Sequence, residues 1–323
     1  MSEALTYRYR SDLVTDTPVS GTLPETRAVT PKPFVKWVGG KSQLLHELRS
    51  RLPSDFEKSI TTYIEPFIGG GAFFFWILSH YTHLQRIIIN DANEALINTY
   101  KVIRDNPDEL IDILTTFKAQ YQSLKDEGER QDYYYSKREE FNSGDATPVE
   151  RAAYLIFLNR TCFNGLYRVN AKGKFNVPHG RYKNPLICDP DTIQADSKVL
   201  ANVEIYHGDF AAVLKEADEH SFVYFDPPYR PLSETSSFCS YCEGGFDDNE
   251  QRRLAARCRE LDKIGVRWML SNSDPKGLCP EDNFFEDLYR GFNIKSVQAS
   301  RMLNANPEKR GKLSELLISN YDS

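Results

Sequence analysis

The stretch TTYIEPFIGGGAFFFWIL, residues 61–78, runs from a short apolar segment through an acid and a glycine triplet into a long apolar segment. The first segment ends at Glu65 and predicts a buried strand, and the segment after Gly71 predicts a core helix. A strand that turns tightly through glycines into a helix is typical of parallel α/β sheets, in which ligands bind beyond the carboxyl ends of the strands. We therefore interpret residues 61–78 as the first strand, turn and helix of such a sheet.

Apolar runs and helical patterns alternate along the chain that follows. RIIIND (86–91) predicts a second buried strand, and ANEALINTYKVIRD (92–105) predicts the helix after it. Residues 105–150 are polar and helix-like, so the alternation stops there. The alternation resumes with three apolar segments: VEIYHGDF (203–210), SFVYFDPPY (221–229) and VRWMLSNS (266–273). The pattern predicts an α/β sheet interrupted by a helical insert.

The segment upstream of residue 61 predicts a mobile tail and then a helix. Residues 1–31 mix polar and charged residues without periodicity, and we expect them to be flexible. Ser42 is the predicted N-cap of a helix over QLLHELRSRL (43–52). The tail has no apolar signal core, no apolar run is long enough to span a membrane, and six cysteines lack framework spacing. We expect a cytoplasmic protein with reduced thiols.

Charge is distributed unevenly along the chain. The formal net charge is −6, which argues against a general nucleic-acid binder. Between Arg151 and Lys183, however, there are seven basic residues and no acidic one, with a predicted hairpin turn at Lys172-Gly173. A second basic cluster comprises Lys309, Arg310 and Lys312. Charge alone fits either a site for a phosphate backbone or a solvated basic loop.

Four predicted strands end in acidic residues, namely Glu65, Asp91, Asp209 and Asp226. Asp91 follows Gly69 by 22 residues, near the spacing at which an acid binds the ribose hydroxyls of a nucleoside. The glycines do not form G-x-G-x-x-G, which disfavours a dehydrogenase. We interpret this edge of the sheet as a nucleoside-cofactor site.

The segment Asp226-Pro-Pro-Tyr229 suits transfer of a group to a conjugated amine. The exocyclic amine of adenine is a poor nucleophile because its lone pair is delocalised into the ring. The Asp226 carboxylate and the Pro227 carbonyl can accept its two N–H bonds and localise that lone pair, and Tyr229 can stack on the base. Prolines restrict the backbone and add no N–H donors. The alternative interpretation is a proline-capped strand end.

Several long motifs together resemble the Dam-like class of DNA adenine-N6 methyltransferases (class alpha, D12 type), whose members mostly methylate GATC. FVKWVGGKSQLL, YIEPFIGGGAFF, INDANEALI and DPPYRPLS resemble its cofactor and catalytic motifs in their usual order. LNRTCFNGLYRVNAKGKFNVPHGRY resembles its DNA-recognition segment, and KRGKLSELLISNY its C-terminal signature. The resemblance extends from about residue 34 to residue 321. His179 departs from it, because the family often has phenylalanine there.

The resemblance implies an α/β fold, a class I S-adenosylmethionine-dependent (Rossmann-like) methyltransferase sheet with an inserted helical and β-hairpin recognition domain. The catalytic domain would comprise 32–104 and 187–323, and the insert 105–186. The expected catalytic residues are Asp226, Pro227, Pro228 and Tyr229. The expected contacts to S-adenosylmethionine are Trp37, Lys41, Glu65, Pro66, Phe67, Gly69, Gly71, Asp91, Asp209, Phe210 and Asp226. The expected DNA contacts are Lys36, Arg160, Phe163, Asn164, Leu166, Arg168, Pro178 and Arg181.

The expected partner is double-stranded DNA, bound by a monomer without membrane contact, and a restriction endonuclease is expected only as a genetic partner. No metal is expected, since the sulfonium already provides the leaving group and Cys239-x-x-Cys242 lacks a second pair. Two other functions stay open. Related motifs serve RNA or protein-amide methyltransferases, and a sequence-specific DNA-binding protein could have lost catalysis. GATATC is an alternative to GATC as the modified site.

Overall fold

The computed structural model describes residues 29–230, 246–277, 279–300 and 312–322. The predicted tail up to residue 28, the pair Cys239 and Cys242, and the basic residues Lys309 and Arg310 lie outside the described residues.

A seven-stranded sheet carries the fold. Its strands are β1 (Thr62–Glu65), β2 (Arg86–Asp91), β3 (Val203–His207), β4 (Ser221–Phe225), β5 (Arg267–Ser273), β6 (Asn293–Ser300) and β7 (Lys312–Ser319). Their order across the sheet is β3-β2-β1-β4-β5-β7-β6. The pairs among β1 to β5 are parallel, and β7 runs antiparallel to both β5 and β6. This mixed α/β sheet confirms the predicted fold class.

Helices cover both faces of the sheet and form the insert. They are α1 (Leu45–Arg49), α2 (Phe56–Ser59), α3 (Ala72–His80), α4 (Glu94–Asp105), α5 (Pro107–Ser123), α6 (Glu127–Ser143), α7 (Pro148–Thr161), α8 (Pro190–Leu200), α9 (Phe210–Val213), α10 (Asp248–Lys263) and α11 (Phe284–Leu288). Their starts follow the local sequence. Thr147 and Glu150 form a capping box ahead of α7, with Pro148 in the first turn, where its missing N–H costs nothing.

The central strands are buried on both faces, which explains their continuous apolar sequence. In β4, Phe222 and Tyr224 belong to the hydrophobic cluster on one face, and Val223 and Phe225 belong to the cluster on the other. Successive strand residues point to opposite faces, so a single run of five residues supplies both clusters. The rigid centre of the sheet thereby fixes the position of the residues that follow β4.

The insert shares one hydrophobic cluster with the sheet. Leu110 and Phe117 of α5 and Phe157 of α7 are buried in the cluster that also contains Phe73 of α3. The predicted hairpin is present as antiparallel pairing without continuous strands, through bridges between Cys162 and His179 and between Val169 and Phe175. The basic segment is therefore anchored on the sheet by α7, and its turn projects from that anchor.

One local prediction is wrong. Ser42 does not cap a helix over residues 43–52, because it lies inside a 3₁₀ turn, Lys41–Gln43, and α1 spans only Leu45–Arg49. The preceding Gly39-Gly40 turn positions this segment by a bond from the Gly40 N–H to the Trp37 carbonyl (3.1 Å). The helical spacing of the sequence is therefore realised only from Leu45 to Arg49.

Candidate active site and DNA-facing surface

The parallel strands bring their acidic ends to one edge of the sheet. Glu65 and Asp91 are the last residues of β1 and β2, Asp226 follows β4 directly, and Asp209 lies two residues beyond β3. Neighbouring ends are bonded together: the Asn90 side chain donates to the carbonyls of Pro66 and Gly208, at 3.0 Å each. The predicted gathering of these acids at one edge follows from the strand order.

The glycine turn after β1 is tied to Asp91. The Asp91 carboxylate accepts from the Gly69 N–H (3.0 Å) through one oxygen and from the Asn93 N–H (2.9 Å) through the other. Burial raises the pKa of Asp91, and the backbone N–H bonds oppose that rise. A carboxylate has about four acceptor positions, so these bonds leave room for ribose hydroxyls. Gly69 and Gly71 both have positive φ, 47° and 71°.

Residues 36–41, which we call the N-terminal strap, cross this turn. A Cβ on Gly69 would lie 3.0 Å from Cδ1 of the Trp37 indole, so the indole rests directly on the glycine backbone. The other side of the indole stacks on Tyr167, with ring centroids 5.4 Å apart. Trp37 thus lies between the glycine turn and the recognition segment.

The last strap residue reaches the catalytic motif. Lys41 is buried, and its Nζ lies 2.8 Å from Oδ1 of Asp226, 2.5 Å from the Gly39 carbonyl and 4.6 Å from the centre of the Tyr229 ring. The Asp226 side chain is 19% exposed. Burial raises the pKa of Asp226 to about 6, although the Lys41 ammonium lowers it. The site therefore holds a poorly solvated carboxylate beside one buried cation.

Polar side chains from β5 and α10 hold the backbone of the motif. Gln251 donates to the Pro228 carbonyl (3.1 Å), and Asn272 accepts from the Arg230 N–H (3.2 Å). Ser273 donates to the Arg230 carbonyl (2.8 Å). Prolines supply no N–H to such a network, so carbonyls and the next residue carry it. The segment is fixed on both sides of Tyr229.

Glu65 is a second buried acid at this edge. It is 2% exposed and accepts a hydrogen bond from the Tyr63 hydroxyl (2.6 Å). Burial raises the pKa of Glu65 well above its usual range, and the negative charge of Asp226 adds to the rise. Glu65 is therefore suited to the neutral, hydrogen-bond-donating form.

An aromatic cluster lies beyond β1 and β3. Phe67 stacks on Phe210 at 5.1 Å, and Phe246 meets Phe67 edge-on at 5.5 Å. Asp209 caps α9 through the Ala211 N–H (3.0 Å) and forms an ion pair with Arg253, whose guanidinium lies over Phe210. All four predicted acidic ends thus already have polar or charged protein partners, and the partner of Asp226 is Lys41 of the strap.

The recognition segment exposes an apolar ring. Phe163 is 51% exposed, although it follows the buried helix α7. Its backbone N–H donates to the Pro178 carbonyl (2.8 Å), which joins the two ends of the segment. Asn164 has a positive φ of 57°, unusual for a residue with a side chain, and its N–H donates to the Tyr182 hydroxyl (3.1 Å). This strained turn presents the ring to solvent.

The strap and the recognition turn are clasped by one buried amide. Asn159 accepts from the Lys36 N–H (2.8 Å) and donates to the carbonyls of Lys36 (2.8 Å) and Gly165 (2.9 Å). A Cβ on Gly165, whose φ is +63°, would lie 2.6 Å from Cδ of Lys36, so glycine permits this approach. The Lys36 ammonium lies 4.9 Å from the centre of the Tyr182 ring. Lys36 is therefore packed against the recognition segment.

The basic residues predicted to contact DNA differ in their exposure and in their protein partners. Arg168 is exposed and donates to the Asn176 side chain (2.7 Å), and exposed Arg181 lies 3.8 Å from Glu127. Arg160 is half-buried and donates to the Phe34 carbonyl (2.8 Å). Pro178 is exposed and Leu166 is half-buried. Arg160 thus holds the chain just before the strap.

Sequence reasoning missed the residues that support the site. They are Tyr63, Asn159, Tyr167, Gln251, Asn272, Ser273 and Glu315. The sequence does contain a signal for Glu315, because an acid within the apolar strand LSELLIS requires a polar partner. The others are ordinary core or strand residues, and the sequence gives no indication of them.

Two further observations concern metals and membranes. Among the described residues, no group of three histidine, cysteine, aspartate or glutamate side chains could hold a metal ion. Helices in the same part of the chain are too short or too polar to cross a membrane.

Comparison with known proteins decides the family. The family described as D12 class N6 adenine-specific DNA methyltransferase matches residues 37–303. This chain belongs to that family. The type II methyltransferase M.MjaIII of Methanocaldococcus jannaschii is 50% identical over 90% of this chain and 99% of its own length. Type II methyltransferase M1.LlaDCHI of Lactococcus lactis is 42% identical over 90% of this chain and 95% of its own.

A third relative has a different kind of name. The DNA adenine methylase of Haemophilus influenzae is 35% identical to this D12-class chain, over 91% of this chain and 96% of its own. The family match over residues 37–303 covers the catalytic motif, the glycine turn and the recognition segment. The resemblance inferred from the motifs is therefore confirmed at the level of the family.

Proposed function

We propose that this DNA adenine methyltransferase transfers a methyl group from S-adenosylmethionine to N6 of an adenine flipped out of duplex DNA, and that its site is GATC. The observation that carries this proposal is the Asp226-Pro-Pro-Tyr229 segment, held rigidly at the end of β4 beside Lys41 and one strand from the glycine turn. The corresponding activity is that of a site-specific DNA methyltransferase (adenine-specific), EC 2.1.1.72.

The residues around the glycine turn fit a nucleoside methyl donor. Asp91 retains acceptor capacity for ribose hydroxyls, and the positive φ of Gly69 and Gly71 lets the chain turn tightly beside it. Phe67 and Phe210 offer an aromatic surface for an adenine ring, and Asp209 can accept from its amine once Arg253 moves aside. When bound, S-adenosylmethionine supplies an electrophilic methyl group on a sulfonium.

The catalytic segment prepares the target amine. The Asp226 carboxylate and the Pro227 carbonyl are the proposed acceptors for the two N–H bonds of N6. Accepting both draws electron density out of conjugation with the ring and aligns the lone pair with the methyl group, so positioning supplies much of the rate. Lys41 lies 2.8 Å from Oδ1 of Asp226, so the carboxylate keeps acceptor positions for the amine. Tyr229 would stack on the flipped base.

The flipped base requires a substitute in the duplex. N6 of adenine cannot enter a closed active site while the base is stacked, so the base must leave the helix. Phe163, half-exposed at the tip of the strained turn, is the proposed side chain that fills the vacated space. Arg168 is proposed to read a guanine, and Leu166 and Pro178 to meet a thymine methyl. Lys36 is proposed to read the outer guanine.

The domain assignment is part of the same proposal. Residues 105–186 form the recognition unit, and 32–104 with 187–323 form the catalytic unit. Arg160 and Arg181 are proposed to contact phosphates, and Asn164 to help read bases. We propose that a monomer acts on one duplex in the cytoplasm, where DNA and S-adenosylmethionine are both present, and that a restriction endonuclease would be a genetic partner only.

Transfer of labelled methyl to four short duplexes tests the proposal. One carries GATC, one GATATC, one neither, and one GATC already methylated on both strands. We expect label only in unmethylated GATC. Label in GATATC would keep the chemistry and change the site. Tight specific binding without transfer would identify a silent DNA-binding protein, and label in RNA or protein instead would move the substrate class.

A further inference from the structure

The acidic residue Glu315 lies beside the catalytic segment but has no role in the mechanism above. It is in β7, opposite Ser273 of β5 on one side and Val297 of β6 on the other. Because β7 runs against β5, its early residues reach the edge where β5 and β4 end. Of the two described strands that flank β5, β4 is parallel to it and β7 is antiparallel. Glu315 therefore lies near the start of its strand and yet at the active-site edge.

The Glu315 carboxylate is bonded to the catalytic tyrosine. Its Oε2 accepts from the Tyr229 hydroxyl at 2.5 Å. The other side of the same ring faces the Lys41 ammonium, 4.6 Å from the ring centre, and that ammonium also pairs with Asp226 at 2.8 Å. Tyr229 is thus held at its hydroxyl by a strand residue and over its face by the strap. A bond to a charged acceptor is stronger than one between neutral groups.

We propose that Glu315 is a positioning residue for methyl transfer, which acts through the Tyr229 hydroxyl to fix the plane of the ring on which the target adenine stacks. The proposal rests on the proposed function, because it assumes that Tyr229 stacks on the flipped base. A stacked ring must keep its tilt to within a small angle. A tyrosine without a bond at its hydroxyl can swing about its Cα–Cβ bond, and that motion displaces the hydroxyl and tilts the ring.

The surrounding charges support the same arrangement. Burial, together with the negative charges of Asp226 and Glu315, raises the pKa of Tyr229 well above its usual range, so the phenol remains a donor. The Glu315 charge also raises the pKa of Asp226, against the lowering effect of Lys41. The other titratable groups that interact electrostatically with Asp226 are Glu65, Tyr63 and Tyr224. Glu315 therefore influences both the ring and the carboxylate.

A double-mutant cycle tests the proposal in the full-length enzyme, on the duplex that the wild-type enzyme methylates. The variants are Glu315→Ala, Tyr229→Phe and both together, with single-turnover rates measured at pH 8 and saturating S-adenosylmethionine and DNA. Each single change should lower the rate by about tenfold to a hundredfold. The double variant should be no slower than the slower single one, since the two changes remove the same bond. Losses that multiply, or no loss with Glu315→Ala, would overturn the proposal.

Two matched variants separate this role from general stability. Glu315→Gln keeps an acceptor and the side-chain volume, so it should restore most of the rate that Glu315→Ala loses while moving the acid limb of the pH profile below pH 6. Glu204→Ala removes a strand glutamate that also accepts from a tyrosine, Tyr206 at 3.0 Å, but lies on β3. Its rate should equal that of the wild type. A loss of rate with Glu204→Ala as large as with Glu315→Ala would show a structural effect and contradict the proposal.

A measurement without methyl transfer distinguishes the two proposals. With tyrosine labelled at Cζ, the Tyr229 resonance should shift in Glu315→Ala relative to the wild type, because the carbon that bears the hydroxyl senses its hydrogen bond. An unchanged Tyr229 resonance would refute the bond and with it the role of Glu315. A wild-type enzyme that methylates no duplex while the resonance shifts as expected would instead overturn the proposed function.

Discussion

Asp226 combines burial with a single close cation, and this combination defines its chemistry. An ionised carboxylate that is only 19% exposed is costly, and the Lys41 ammonium at 2.8 Å offsets part of that cost. The resulting pKa of about 6 keeps Asp226 largely ionised at neutral pH, the form that the proposed function requires for accepting an N–H bond of the target amine. The residue is thus charged but poorly hydrated, as an acceptor for a weak nucleophile must be.

Replacing Asp226 should separate catalysis from binding. Asp226→Ala removes an acceptor for N6, so we expect methyl transfer to fall at least about a thousandfold. The recognition segment does not contain this residue, so binding to the specific duplex should change by less than about threefold. Single-turnover transfer and a fluorescence binding titration measure the two effects. Loss of specific binding parallel to the loss of transfer would contradict the assigned role.

The pH dependence of methylation follows from the same carboxylate. Only the ionised carboxylate of Asp226 is a full acceptor for an N–H bond of the target amine. The value of kcat/KM for DNA should therefore fall as the pH drops through about 6. Lys41 lowers the pKa of Asp226, so Lys41→Met should raise that pKa and move the acid limb to higher pH. Rates from pH 5 to pH 8 at saturating cofactor measure the shift. An acid limb that stays in place or moves to lower pH would show that Lys41 does not control Asp226.

Helix α8 contains a different buried acid, which is outside the catalytic segment. Asp196 is fully buried and accepts from the Lys32 N–H at 3.0 Å through one oxygen. Burial raises its pKa to about 8, whereas the unfolded chain would ionise it near pH 4. The folded state therefore binds a proton that the unfolded state releases, and the contribution of this group to stability is lost as the pH rises toward 8.

Asp196→Asn should stabilise the protein more as the pH rises. Asparagine keeps the acceptor for Lys32 and cannot ionise, so the free energy of unfolding should gain up to about 1.4 kcal/mol per pH unit between about pH 4 and pH 8 relative to the wild type. Urea unfolding at pH 5 and pH 8 measures the difference. Asp191→Asn, an exposed change on the same helix, should show much less pH dependence. An Asp196→Asn difference that is equal at both pH values would refute this assignment.

In the protein as a whole, the N-terminal strap connects the proposed DNA-recognition turn to the proposed cofactor site. Lys36 and Asn159 join the strap to the recognition turn, Trp37 covers the glycine turn, and Lys41 pairs with Asp226. The six residues of the strap therefore contact three regions that are distant in sequence: the recognition segment, the glycine turn and the segment that begins at Asp226. The strap thus links the recognition turn, through the hydrogen bonds of Asn159, to Asp226, through the ion pair of Lys41.

Arg168 should control which duplex is methylated. Loss of a bidentate contact to guanine removes discrimination against the wrong base, so Arg168→Ala should lower the preference for GATC over single-base variants by about tenfold or more. Lys172→Ala, in the same exposed hairpin, should weaken binding to all duplexes alike and reduce its salt dependence. Competition assays on a set of singly substituted duplexes measure both. A uniform loss of binding with Arg168→Ala would reassign it to the phosphate backbone.

The sequence alone was sufficient for the order of elements and for the acids at the strand ends. Strand β4 and the glycine turn were predicted because apolar runs, acids and glycines are local signals, and local signals survive without knowledge of the fold. The helix predicted from Ser42 failed because Lys41, whose buried ammonium pairs with the distant Asp226, begins a 3₁₀ turn at that point. Propensity is weaker than tertiary packing over so short a length.

Only the tertiary structure decided how the motifs act on one another. Lys41 and Asp226 are 185 positions apart, and nothing in either neighbourhood specifies a 2.8 Å contact between them. The bond between Tyr229 and Glu315 exists because β7 is inserted against the direction of β5, a property of strand order and not of any single segment. Sequence periodicity specifies which residues are buried and which elements they form, whereas the juxtaposition of buried polar groups depends on how the elements pack together.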